Sequence, residues 1–323
     1  MDNITHTVTG LLLSRAGLNR LHPRATAILM ISANIPDVDV ISLIGGPVEY
    51  LAYHRGFTHS FAAIPFMALG ATLLTWPFGW HSSLWIRGIL IAMLGVLTHV
   101  LLDWTNIYGI RLFLPFDPTW HFLATTSVID LCIWGVYAIA LFWPFLSRLV
   151  SSEIGAKPTK GKGFAILALM FVLIYNGARG VLHSQAIEVQ NSRLFGDHPP
   201  RKVFAGPNSW NVFQWRGIVE TESAFHVSRI NLLLPFDPTA AQAFYKPERI
   251  PGFEALQQTR PFRVLSNFSP FLLYRVVAAP EPPGAVRVEA IDLRFGDPGQ
   301  NQFRVSALVS PDGKIIPDSV RVR

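Results

Sequence analysis

The chain has one cysteine, Cys132, among 323 residues, and it lies inside an apolar run. That excludes an intrachain disulfide and a thiolate zinc site, so any bound metal must be held by histidine and carboxylate. Charge is scarce too. Asp, Glu, Lys and Arg make up 15% of the residues, against about 25% in an average soluble domain. The opening Met1-Asp2-Asn3 lacks the basic region of a signal peptide, so the amino terminus is expected to be retained. What charge there is runs basic, with a formal net charge of +6 and a pI near 9.7. In a soluble chain that balance would point toward nucleic acid. Here the Lys and Arg residues are scattered and several flank apolar runs, where they set membrane orientation, so nucleic acid is not expected as a partner.

Half of the residues are hydrophobic, and they concentrate between residues 61 and 188. Phe61 to Trp80 carries no formal charge and is long enough to cross a bilayer core of about 30 Å. Ser83 to Asp103, Leu131 to Ser147 and Gly163 to Ala178 read as three further spans, the last short but flanked by Lys162 and Arg179, which can snorkel outward. Ile4 to Leu18 and Ala25 to Ile35 are apolar but too short to span comfortably, and are expected as buried or partly inserted helices. The expected architecture is a mainly α polytopic membrane domain over residues 1–187, followed by a β-rich soluble domain over residues 188–323. In the second part, 211–220, 262–265, 271–277, 286–294 and 303–309 alternate as strands, separated by Pro/Gly/Asp turns. Leu-Pro-Phe-Asp-Pro-Thr occurs twice, at 114–119 and 234–239, and reads as a shared turn.

The basic residues set the orientation. Arg148, Lys157, Lys160 and Lys162 make the loop between the third and fourth spans cytoplasmic, as is the Gly79 to Ser83 turn, with Arg15, Arg20 and Arg24 on the same side. Everything after Arg179 is then exported. This places a multi-pass protein in a bacterial inner membrane with its carboxy-terminal domain on the extracytoplasmic side. On the same map His6, Asp37, Asp39, His54, His59, His99, Asp103 and Asp130 all fall on the exported face, although only Lys and Arg were used to draw it.

Those residues carry the chemistry. His99 and Asp103 stand four apart in a helical run and project from one face, so they can share one ion. An ionisable pair in a membrane helix is costly enough to mark a functional site. Asp37 and Asp39 follow the helix-breaking Pro36 and, two apart in an extended segment, would face one way, where two like charges need a cation between them. Tyr53-His-Arg-Gly-Phe-Thr-His-Ser60 packs two imidazoles, a guanidinium and two hydroxyls into eight residues. Gly56 allows a tight backbone there, and Thr58 or Ser60 can cap the next helix. Arg55 suits a phosphate or carboxylate through its forked donors. His6 opens the first helix. Asp130 follows Ser127 in a Ser-x-x-Asp pattern that serves capping or ligation equally well.

The early His6, Pro36-Asp37-x-Asp39, His54-Arg-Gly-x-Thr-His59-Ser60 and Gly95-x-x-x-His99-x-x-x-Asp103 together resemble the YdjM-like family of inner-membrane-associated metal-dependent hydrolases, described as LexA-binding. The resemblance covers roughly residues 1–180. More distantly, the order of ligands is similar to that of zinc phospholipase C and the S1/P1-type nucleases. It implies His6, Asp37, His54 or His59, His99 and Asp103 as ligands. The close-spaced His-rich pair that completes the trinuclear zinc centre of those enzymes has no counterpart beyond His121 and Asp130, so one or two ions are expected. The resulting expectation is a metal-dependent hydrolase of a phosphoester or related lipid ester. Its cofactor is a divalent metal, Zn2+ by ligand type, and its partners are the bilayer and an amphiphilic substrate. Asp37, Asp39, His59, His99 and Asp103 would hold metal, His54 would ligate or carry a proton, and Arg55 would steady the anion. A divalent-cation transporter and an envelope protein with a structural metal are the alternatives.

Overall fold

A computed structural model describes residues 1–76, 84–154, 161–299 and 303–322. The chain forms two compact units. One comprises Met1–Asp39, Arg55–His183 and Pro207–Val212; the other comprises Val40–His54, Ser184–Gly206 and Phe213–Arg323.

The first unit is helical. Helix α1 (Asn3–Ala16) starts on Asp2, whose carboxylate accepts from the Thr5 backbone at 3.0 Å and from its hydroxyl at 2.6 Å, satisfying donors that a first turn leaves open. Helix α2 (Ala25–Ser32) runs into a 3-10 helix over Ile35–Gly45. Pro36 therefore ends the α-helical part, but the apolar segment continues. Ala25–Gly45 is 21 residues long, and the short insert expected over Ala25 to Ile35 becomes a candidate span. With Trp85–Trp104 and Lys162–Asn191 it makes three described segments long and apolar enough to cross a membrane. The pair Pro47–His59 and Phe61–Thr75, bent at the break between them, is a fourth if it forms one broken span.

The run expected to be continuous from Phe61 thus begins with a 3-10 turn at Phe61–Ala63, and α4 (Ile64–Thr75) follows with Pro65 in its first turn, where the missing N–H costs nothing. Its far end at Trp80, the Gly79 to Ser83 turn, Lys157 and Lys160 lie outside the described residues. Helices α5 (Trp85–Trp104), α6 (Leu131–Ile154) and α7 (Lys162–Asn191) complete the unit. The apolar part of α6, Leu131–Ser147, is shorter than the other candidate spans.

Two glycines set how closely these helices approach. A Cβ on Gly10 of α1 would lie 2.6 Å from the Leu29 carbonyl oxygen of α2, and one on Gly95 of α5 would lie 2.0 Å from Ser32 Oγ. Small residues at such crossings let membrane helices pack backbone to backbone. Ile28, Leu29, Ala68, Ala92, Val96 and Val100 fill one core between α2, α4 and α5, and Leu12, Ile133, Tyr137, Ala165 and Ala168 fill another between α1, α6 and α7. At one end of the unit the chain after α1 approaches α7, with the Lys162 side chain about 3.6 Å from the Gly17 Cβ position.

The second unit holds two four-stranded antiparallel sheets, β1-β2-β3-β4 and β5-β6-β7-β8. Their strands are β1 (Lys202–Pro207), β2 (Gln214–Glu220), β3 (Ala224–Asn231), β4 (Gln242–Tyr245), β5 (Leu272–Ala278), β6 (Val286–Asp292), β7 (Arg304–Val309) and β8 (Arg321–Val322). The segments at 211–220, 271–277, 286–294 and 303–309 supply β2, β5, β6 and β7 as expected. The segment 262–265 does not. It lies in helix α9 (Arg260–Phe268), after α8 (Phe253–Gln258), with Phe262, Leu265 and Phe268 buried. That spacing of three is helical, and four residues of alternation were too few to show it. Helix α3 (Pro47–Tyr53) belongs to this unit, and its Glu49 accepts both arms of the Arg260 guanidinium at 2.5 and 2.6 Å.

The repeated hexapeptide is the shared turn expected. In each copy the aspartate, Asp117 or Asp237, accepts from the backbone N–H and hydroxyl of the threonine two residues on.

Candidate metal centre

Three backbone elements of the first unit converge on one buried point. Helix α5 brings His99 and Asp103, the 3-10 segment after α2 brings Asp37 and Asp39, and the turn at Phe57–His59 brings His59. Asp37, His59, His99 and Asp103 each turn one ligand atom inward, and these atoms lie within 4.8 Å of one another.

The proton positions follow from the partners. His99 Nδ1 faces the Ala33 carbonyl at 2.7 Å; a carbonyl can only accept, so Nδ1 carries the proton and Nε2 a lone pair. His59 Nδ1 faces Asp39 Oδ2 at 3.2 Å and Thr58 Oγ1 at 3.0 Å, and Thr58 itself donates to Asp39 Oδ2 at 2.8 Å. Thr58 directs its proton to Asp39, so His59 Nδ1 is the donor to these two oxygens. The two Nε2 atoms are 3.1 Å apart. His59 Nε2 lies 3.4 Å from both Asp37 Oδ1 and Asp103 Oδ2, and His99 Nε2 lies 3.7 Å and 3.5 Å from the same two oxygens.

Two imidazole nitrogens and two carboxylate oxygens thus face each other across one buried point. A tetrahedral ion with bonds of ~2.0–2.1 Å spaces its ligands about 3.3–3.4 Å apart, and the five distances above, from 3.1 to 3.7 Å, bracket that value. The residues fit a divalent cation in donor type and in distance. Two imidazoles with two carboxylates are a borderline-metal set, suited to zinc.

The surroundings orient the donors. Arg55 is buried, and its Nη2 donates to Asp103 Oδ1 at 3.2 Å, its Nε lies 3.2 Å from Asp103 Oδ2, and its Nη1 donates to Asn106 at 3.0 Å. Its backbone N–H donates to Asp39 at 2.9 Å, and its guanidinium stands over the Tyr108 ring at 4.9 Å. The left-handed residue of the His-Arg-Gly turn is Arg55, with φ +59°, whereas Gly56 has φ −86°. A side chain in that region costs about 1–2 kcal/mol, which the hydrogen bonds of Arg55 offset. Sequence reading gave Arg55 a substrate anion; the structure gives its fork to Asp103 and Asn106. Ser60 rather than Thr58 caps the following turn, accepting from Ala63 N–H at 3.2 Å.

His6 meets the other oxygen of Asp103, with Nε2 at 3.2 Å from Oδ1, and stacks on the His99 ring at 3.9 Å. Burial pushes its imidazole well below the usual range, so it is neutral. The backbone nitrogen of Met1 also pairs with Asp103 Oδ1. Asp37 keeps 15% of its side chain exposed, while His59, His99 and Asp103 are fully enclosed, so the cluster opens at Asp37.

Asp130 stands apart from this cluster. His54 ends α3 in the second unit, buried and stacked on Tyr50 at 4.4 Å. Asp130 caps α6, accepting from Cys132 and Ile133 N–H at 3.1 and 3.4 Å and from the Tyr175 hydroxyl at 3.2 Å. Burial raises its carboxyl above the usual carboxylate range. His121 pairs its backbone with Ile110 and sets its ring edge-on to Phe113 at 5.1 Å. Asn106 and the Ala33 carbonyl were missed by sequence reading. Asn106 follows Asp103 by three residues, a spacing that could have pointed to it; no side-chain pattern announces a carbonyl.

YfhP of Bacillus subtilis (strain 168), whose description is an uncharacterized protein, is 26% identical over 245 residues, covering 71% of this chain and 68% of its own. No solved structure gives a significant match. The family model described as YdjM inner membrane protein matches residues 1–186, which include every residue of the cluster. The chain is a membrane protein and belongs to the YdjM inner membrane protein family.

Proposed function

We propose that this protein is a membrane-bound, metal-dependent hydrolase acting at the extracytoplasmic membrane face on a phosphoester or related lipid ester. The observation that carries the reading is the set of four inward-facing nitrogen and oxygen atoms at close to tetrahedral spacing, enclosed except at Asp37. His59, His99 and Asp103 would hold the ion, with Asp37 at the open side as a fourth ligand. A bound divalent cation supplies a polarised scissile group and a water of lowered pKa. The chain's own residues supply the rest. Asp39 and Thr58 fix the His59 tautomer, the Ala33 carbonyl fixes that of His99, and Arg55 holds Asp103 while lending positive charge that favours an anionic substrate. His54 is proposed as a proton carrier, and the distant likeness to zinc phospholipase C belongs to the same proposal. The carboxy-terminal domain would lie on the exported side, because the basic residues flanking the spans cluster on the opposite one.

The test is turnover of chromogenic phosphodiesters and carboxylic esters by detergent-purified protein with added Zn2+ or Mn2+. Wild type is expected to hydrolyse one class, and His59→Ala and Asp103→Ala to lose that activity with the metal. Metal retained without turnover of any ester would refute the hydrolase. One observation favours a second reading. Four protein ligands make a closed shell, the usual form of a structural zinc site, and metal-dependent stability without activity is what that reading expects.

A further inference from the structure

A groove of about 240 Å³ lies within the first unit between α1, α5, α6 and α7. We propose that it receives one acyl chain of a membrane lipid, and that it is the tail site of the substrate whose ester is cleaved at the metal centre. The proposal rests on the hydrolase reading above and names its substrate class.

Five of the groove's eleven lining residues are polar, yet all but one of their hydrogen-bonding groups are engaged within the protein. The Thr9 hydroxyl bonds the Thr5 carbonyl and the Tyr137 hydroxyl, at 2.7 and 2.8 Å. Thr98 bonds the Gly95 carbonyl at 2.8 Å, and Thr105 bonds the Leu102 carbonyl at 2.7 Å. The Asn176 amide nitrogen bonds the Val172 carbonyl at 2.9 Å, leaving its Oδ1 as the one buried lining atom without a hydrogen-bond partner. What these side chains offer the groove is methyl and methylene surface, which recognises hydrocarbon and rejects a polar head.

Position identifies the occupant. The rim includes Leu101 and Leu173, which are 40% and 74% exposed. Both are on helices apolar enough to span the membrane, so the groove is continuous with the lipid-facing surface of the bundle. One of its helices, α5, also carries two ligands of the metal centre, and α1 carries His6. Thr98 adjoins His99 in α5, Leu102 adjoins Asp103, and Thr9 follows His6 by one turn of α1. A chain in the groove therefore lies beside the stretch of α5 that carries His99 and Asp103.

The experiment photolabels the full-length protein, in nanodiscs containing a phospholipid with a diazirine on one acyl chain, and maps adducts by peptide mass spectrometry. The expected result is adducts concentrated on the α1, α5 and α7 residues of the groove. Leu101→Trp and Leu173→Trp, both at the exposed rim where folding is tolerant, should lower this labelling about tenfold, the loss expected when roughly two methylenes leave the groove. Uniform labelling of all exposed apolar faces, labelling unchanged in both variants, or crosslinks between two copies of the chain in place of lipid adducts would each overturn the proposal. Labelling does not need turnover. Soluble phosphodiester cleavage without groove labelling rejects the tail site alone, whereas groove labelling without cleavage of any ester rejects the hydrolase and leaves the lipid site.

Discussion

Gly95→Ala tests whether the close approach of α2 and α5 is what assembles the centre. The added methyl would lie 2.0 Å from Ser32 Oγ, 3.0 Å from Ser32 Cβ and 3.3 Å from the Leu29 carbonyl oxygen. Ordinary contact between carbon atoms lies at about 3.5–4.0 Å, so the serine cannot stay where it is. Its hydroxyl is bonded to the Leu29 carbonyl at 3.2 Å, and rotating it away leaves the Cβ contact unrelieved. Helix α2 must move outward, at an overpacking cost of about 1–3 kcal/mol. The next residue, Ala33, supplies the carbonyl that orients His99, one turn after Gly95, and Asp37 follows four residues later. The same shift therefore loosens a ligand and the partner of another. Losing such an orienting contact typically lowers metal affinity about 10–100-fold.

A competition titration against a chelator, with detergent-purified protein, reads this directly. Adding Ser32→Gly removes two of the three short contacts and should recover most of the affinity. The helix itself would remain weaker, because glycine in a helix interior costs about 1 kcal/mol relative to alanine. Wild-type affinity in Gly95→Ala, or a double variant no better than the single one, would refute the argument.

Three further outcomes follow. Arg55→Gln leaves Asp103 buried without its guanidinium, so the metal-free protein should lose about 3–5 kcal/mol, and saturating metal should shrink that loss in thermal unfolding; equal losses with and without metal would contradict the pairing. Asp130→Asn should leave metal stoichiometry unchanged, because the structure gives Asp130 to the cap of α6 and to Tyr175; lost metal by elemental analysis would return Asp130 to the ligand set. In the second unit, Asp292→Ala strands Arg294, whose Nη2 now donates to Asp292 at 2.7 Å and to the Phe268 carbonyl at 3.2 Å, both side chains being fully buried. The loss should be about 3–5 kcal/mol, read as earlier proteolysis of the β-rich unit in the full chain.

Much of the centre is legible in the sequence because helical and turn spacing fixes which side chains share a face. His99 and Asp103, four apart, declare their shared face before any packing is known, whereas the extended segment expected after Pro36 is a 3-10 helix that sends Asp37 to His59 Nε2 and Asp39 to His59 Nδ1. What spacing does not carry is which donor on one element meets which acceptor on another. Arg55 reads as a hand for a substrate anion until α5 brings Asp103 against it. Asp130 is a capping group or a ligand in equal measure until Tyr175 reaches it. The α2 segment reads as short because Pro36 ends an α-helix, yet the 3-10 continuation keeps Val38, Val40 and Ile41 in the same apolar run. In the second part, Phe262 to Leu265 alternates like a strand, and only the next buried aromatic, Phe268, gives away the helix.

The central claim is that Asp37, His59, His99 and Asp103 form a tetrahedral divalent-metal site. X-ray absorption spectroscopy on zinc-loaded, detergent-purified protein tests it most directly. The account predicts about one tightly held ion with four nitrogen and oxygen neighbours at ~2.0–2.1 Å, including two imidazoles. His99→Ala should show one imidazole fewer or no bound ion. A six-oxygen shell, a spectrum unchanged in His99→Ala, or no bound zinc in the wild type would contradict it.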